Sequence, residues 1–172
     1  MTRRKSLSAM LGLASGALLF GSVGATSLEQ LDLQGLTAEA DVVVIGQITS
    51  TQGHYSDGEF FTVLDVAVNR SLLGDEHGLL QIRVPGGSAV VNGVRLGETV
   101  AGLSPVASER DFALFLNRDE NTGMHEIVGF SQGQLQVSER DGQQTLMVPG
   151  QNVPMPIEAF VQQVADYAAG RN

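Results

Sequence analysis

The chain has 172 residues, 42% of them hydrophobic and 17% charged, a balance too apolar for a disordered chain and of ordinary size for one domain. The formal net charge of −9 disfavours nucleic acid and anionic lipid as partners. With no cysteine there is no disulfide, no thiol nucleophile and no Cys-ligated zinc.

Residues 1–25 read as an export signal. "MTRRKS" is a positive start, "LSAMLGLASGALLFGSVG" is uncharged and rich in small residues, and Val23 to Ala25 offer a cleavage site. The rival is a membrane anchor of borderline length. Arg3-Arg4 admits the twin-arginine route, although Lys5 and Ser6 stand where that route has bulky apolar residues. Removal of the leader takes Arg3, Arg4 and Lys5 with it. Lys+Arg then falls from 10 to 7 against an unchanged 19 acidic residues, a net charge of −12. The expectation is an exported protein, periplasmic or extracellular, with no membrane association after cleavage and a single domain over residues 26–172.

In "TSLEQLDLQGL", Ser27 and Gln30 have capping-box spacing, predicting a short helix stopped by Gly35. "ADVVVIGQITS" comes next. Its β-branched run Val42 to Ile45 predicts a strand buried on both faces, and Gly46 marks a bulge. Asp57-Gly58 is a hairpin dipeptide. In "EFFTVLDVAVNRSLLGD", Phe60, Leu64, Val66 and Val68 share one parity and Asp65, Ala67 and Asn69 the other. "LLQIRVPGG" places Leu80, Ile82 and Val84 on one face and Gln81 and Arg83 on the other, with pairing ended by Pro85. Asn92-Gly93 turns a further hairpin. "DFALFLNRD" puts Phe112, Leu114 and Leu116 opposite Phe115, and residues 124–149 hold two or three strands with a turn at Asp141-Gly142. In the tail, Pro156 suits the start of a helix, Ile157, Phe160, Val161, Val164 and Ala168 form one stripe, and Gly170 ends it. The fold class expected is mainly β: an OB-like antiparallel barrel of five to six strands with a short N-terminal and a longer C-terminal helix. Bend-permitting glycines within the strands favour closure over a flat sheet.

The order of "ADVVVIGQI", "FFTVLDVAVNRSLLGD", "LLQIRVPGG", "DFALFLN" and "EIVGFSQGQLQV" resembles uncharacterised exported bacterial proteins. More remotely it resembles the netrin-like and tissue-inhibitor-of-metalloprotease barrel. The matching positions are Asp41 to Gly46, Phe60 to Gly74, and Gly97-Glu98 with Asp111 to Leu116, the last two separated by the insertion "TVAGLSPVASER". The resemblance implies an OB-like five-stranded barrel. It carries no function across, because the protease-binding cysteine of that family has no counterpart here.

The candidate chemistry is thin. "GDEHGLLQIRVPGG" carries Asp75, Glu76 and His77, but consecutive side chains diverge, and His54 and His125 lie near other turns. The same stretch is no phosphate loop, since Gly87 leads into β-like sequence and the chain beyond it has no lysine. "GFSQG" matches a nucleophile elbow around Ser131. Yet "QGQLQVSE" continues from that serine as strand where the elbow needs a helix, and Gly129 and Gly133 are explained by a bend. Glu109 with Asp111 and Asp119 with Glu120 read as solvated pairs, and "NRDENTG" has only part of a calcium-loop spacing. No catalytic, cofactor or metal residue is therefore assigned, and no cofactor is expected. The expectation is a non-catalytic binding or interaction module taking a protein or glycan partner through loops that include residues 86–110. A secreted hydrolase using Ser131 or a carboxylate, and a cell-surface assembly factor, are the alternatives.

Overall fold

The computed structural model describes residues 30–100 and 109–171, so the leader, Ser27 and residues 101–108 lie outside the described part. Among the described residues the fold is mainly β with two helices. In chain order the elements are α1 (Leu33–Glu39), β1 (Val42–Ser56), β2 (Glu59–Leu73), β3 (Leu79–Pro85), β4 (Gly87–Val91), β5 (Val94–Glu98), β6 (Asp111–Arg118), β7 (His125–Ile127), β8 (Gln134–Arg140), β9 (Gln143–Leu146), β10 (Met155–Pro156) and α2 (Ile157–Ala169). Among the described residues no helix is long and apolar enough to cross a membrane.

Eight strands form one mixed sheet in the order β1-β2-β3-β7-β6-β8-β9-β10, and β1 also pairs with β6; β4 and β5 form a separate hairpin. The count exceeds the expected five or six because β4–β5 and β8–β9–β10 lie outside the cycle β1-β2-β3-β7-β6-β1. The expected all-antiparallel order also needs correction. β3 and β7 run parallel, with Ile82 opposite His125. The reason is arithmetic: a cycle of five pairings cannot alternate direction all the way round, so at least one pair must be parallel.

The three anticipated two-residue turns are present. Asp57-Gly58, Asn92-Gly93 and Asp141-Gly142 all take positive φ at both positions, the backbone that matches the twist of flanking strands. At Gly46 the β1–β2 register shifts, as the sequence anticipates. A Cβ there would lie 2.7 Å from the Ala67 carbonyl oxygen and 2.8 Å from Val66 Cγ1, so the bulge brings two backbones too close for any side chain.

The β-branched run at the start of β1 is buried on both faces, and each face serves a different core. Val42, Val44 and Ile48 join Leu64, Ile82 and Leu114 in one cluster. Val43 and Ile45 join Phe115, Leu36 and Phe160 in another, beneath the two helices. Strand β6 alternates in the same way, with Phe112, Leu114 and Leu116 in the first core and Ala113 and Phe115 in the second. The Phe115 and Phe160 rings meet edge to face with centroids 6.1 Å apart, which seats α2 on the sheet.

Helix α1 departs from expectation. It starts at Leu33 with Asp32 as its cap, whose carboxylate accepts from the Gly35 amide at 2.8 Å; Gly35 is thus in the first turn rather than the terminator. A side chain far along the chain finishes the other end: Arg171 Nη1 donates to the carbonyls of Thr37 (3.0 Å) and Ala40 (2.9 Å).

Candidate functional site

The residues weighed from sequence do not assemble into one centre. Asp75 and His77 bond to each other at 3.0 Å in an exposed turn, while Glu76 between them points the opposite way. Glu76 is nearly buried, bonded to the Arg118 guanidinium and 3.5 Å from His125 Nε2. His54 stacks on Phe61 with centroids 5.3 Å apart, across the β1–β2 pair. Asp111 accepts from Asn69 Nδ2 at 3.5 Å, and Glu109, like Glu120, is exposed. Ser131 lies in a turn that leads into strand β8, so the helix required by a nucleophile elbow is replaced by a strand. Among the described residues no group of three or more His, Asp or Glu is arranged to hold a metal ion.

The loop "NRDENTG" is built around one carboxylate. Asp119 accepts from the Thr122 hydroxyl at 2.7 Å and the Asn121 amide at 2.9 Å, and its carbonyl receives the Gly123 amide. Those bonds, the Thr122 hydroxyl first, hold its carboxyl below the usual carboxylate range. Both carboxylate oxygens are therefore occupied by the loop's own donors.

The concave surface lies elsewhere, around Pro85 at the end of β3. Beyond Gln47, where pairing with β6 ends, β1 continues with β2 as a long arm still flanked by β3; the arm carries Thr51, Gly53 and Thr62 on one face. The β4–β5 hairpin docks on that face. The docking depends on Gly53, where a Cβ would sit 1.9 Å from the Ser88 carbonyl oxygen. Thr62 Oγ1 then donates to the Gly86 carbonyl at 3.0 Å. Between arm and hairpin is a cleft of about 450 Å³ reaching Arg95, Glu98 and Val100.

That cleft does not stand alone. A second, of about 330 Å³, shares Pro85, Gly86, Glu98 and Val100 with it and adds Phe60, Phe61 and Glu126. A third, of about 280 Å³, shares Arg83, Pro85 and Glu126 with the second and ends at Ile127, Gly129 and Phe130. The three form one groove turning about Pro85, with hydroxyls at one end, carboxylates in the middle and an apolar end. Phe130 is 48% exposed there, held at φ 63 by the turn after β7.

The charges along the groove are unequally matched. Arg83 lies over the Phe61 ring at 4.6 Å and donates to Glu59 at 3.2 Å, so both are committed. Arg95 donates to the Ser88 hydroxyl at 3.4 Å. Glu98 and Glu126 carry no ion pair or side-chain hydrogen bond among the described residues. Of the loops expected to bind, residues 86–110, the groove is lined by Gly86, Gly87, Ser88, Arg95, Glu98, Thr99 and Val100, and residues 101–108 lie outside the described part. The sequence reading missed Phe130 and Glu126. Phe130 was visible only as an apolar residue in "GFSQG", a stretch weighed for its serine.

No family model matches the chain, and no curated protein matches it.

Proposed function

We propose that this protein is an exported, non-catalytic binding module on an OB-like barrel, which takes its partner in the groove around Pro85. The barrel reading rests on the cycle β1-β2-β3-β7-β6-β1, in which every strand has a neighbour on both sides. It agrees with the netrin-like resemblance of Asp41 to Gly46 and Phe60 to Gly74.

The observation that carries the binding reading is the continuity of the groove. Three clefts share Pro85, and the surface they make mixes an apolar end with a few polar groups, the composition of a recognition site. Specificity would come from Glu98, Glu126 and Phe130, which the fold leaves exposed without needing them for its own core.

The test pairs two measurements on the full chain. Arrays of peptides and glycans should return a ligand whose binding is lost in Phe130→Ser. A broad hydrolase screen should show no turnover. Turnover abolished by Ser131→Ala would replace this reading with the hydrolase one.

A further inference from the structure

Resting on the groove reading above, we propose that the ligand is an extended, cationic segment of a protein partner. An apolar side chain of that segment fills the pocket of Val84, Ile127 and Phe130, and a lysine or arginine side chain lies between Glu98 and Glu126.

Charge complementarity decides the chemistry. The groove holds three glutamates and two arginines, and the Arg83–Glu59 pair cancels. Arg95 is turned to Ser88 on the hairpin. It keeps its charge there, so the groove is net negative by one, with Glu98 and Glu126, both exposed and lining the middle cleft, against Arg95. A neutral sugar can donate hydroxyl hydrogen bonds to these two carboxylates but leaves their charge uncompensated. A lysine or arginine answers them with charge-assisted hydrogen bonds. The net charge of −9 acts in the same direction at long range, drawing a cationic chain toward the surface.

Shape supports a chain over a compact ligand. The groove bends around a strand end and offers chemically distinct pockets in succession. An extended peptide places side chains alternately to either face, so one face can present an apolar and a basic residue to successive pockets. Recognition by a few such anchors is how extended segments gain specificity.

The experiment uses fluorescence anisotropy with a short capped peptide in which leucine and lysine stand two residues apart, on one face of the extended chain, with serine at the positions between. Its comparators are a glutamate-for-lysine twin, a serine-for-leucine twin and a neutral glucose oligosaccharide. The lysine peptide should bind, and both twins should bind more weakly by about tenfold or more. The double variant Glu98→Gln with Glu126→Gln should lose about the same factor, and Phe130→Ser should weaken the lysine peptide but not its serine twin. A control variant, Glu139→Gln with Asp166→Gln, removes two exposed carboxylates elsewhere and should bind as the parent does. Unchanged thermal unfolding certifies that each variant folds. Equal binding of the lysine and glutamate peptides would overturn the inference, as would equal weakening by the control variant, which marks non-specific attraction. Binding of the oligosaccharide with none of the lysine peptide would also overturn it, while leaving the groove reading intact. If the lysine peptide binds and neither Phe130→Ser nor the glutamine variant alters it, the groove itself is not the site.

Discussion

Glu76 Oε1 stands 3.5 Å from His125 Nε2, joining the loop between β2 and β3 to the strand that closes parallel on β3. The same carboxylate takes the Arg118 guanidinium from the end of β6. Three segments distant in sequence thus meet at one carboxylate beside the parallel β3–β7 pairing. His125 is 5% exposed, and among the described residues its ring nitrogens make no hydrogen bond, the Glu76 contact being one of charge alone.

Glu76→Gln should therefore destabilise the fold by about 0.5–1.5 kcal/mol, because it weakens a charge-assisted bond whose guanidinium side is exposed. His125→Leu should cost less than that, since its ring nitrogens contribute no hydrogen bond whose loss must be made good. Urea unfolding of both variants checks the ranking. A larger loss for His125→Leu would refute it.

Gly53→Ala should displace the β4–β5 hairpin from the arm. The new methyl would overlap the backbone of Ser88, which has no side-chain rotamer with which to yield. The expected cost is about 1–3 kcal/mol, as for other overpacked contacts. Amide chemical shifts should move across residues 86–100 and stay in place in α2. Unmoved shifts in the hairpin would show that the contact is not what seats it.

Phe160→Ala should be among the most damaging single changes, at about 3–5 kcal/mol, because the ring is wholly buried and its removal leaves a cavity under α2. A double-mutant cycle with Phe115→Ala should show a coupling of about 0.5–1.5 kcal/mol from the edge-to-face pair. A coupling near zero would mean that the rings contribute only as buried volume.

Acid should weaken the loop held by Asp119. Its folded-state carboxyl lies below the ordinary 3.8, with the Thr122 hydroxyl as the largest cause. A depressed carboxyl stabilises the folded state above its unfolded pKa. That contribution is lost as pH falls through the lowered folded value. Thr122→Val should return the Asp119 titration toward 3.8, as read by NMR of the side-chain carboxyl. An unshifted titration would assign the depression to the backbone donors instead.

Much of the local structure was legible in the sequence. The three turn dipeptides, the doubly buried start of β1, the alternation in β3 and β6 and the stripe of α2 are all statements about residues within a few positions of one another. The start of α1 was not legible, because the capping-box spacing pointed to Ser27 and not to Asp32 five residues on. Of these, only Asp32 lies among the described residues, and it caps the helix. The groove was only half legible. Residues 86–100 announced a hairpin, but Phe61, Glu98, Glu126 and Phe130 share a surface only because β3 has both β2 and β7 as neighbours.

By itself, then, the sequence determined strand, turn and helix identities, since hydrophobic period and left-handed turn residues act over short spans. It determined the negative charge as well. Tertiary structure alone decided that Glu76 turns inward while Asp75 and His77 turn out, that β3 and β7 run parallel, and that three clefts join around Pro85. Those outcomes depend on which distant segments become neighbours, and pairing of that kind leaves no periodic trace along the chain.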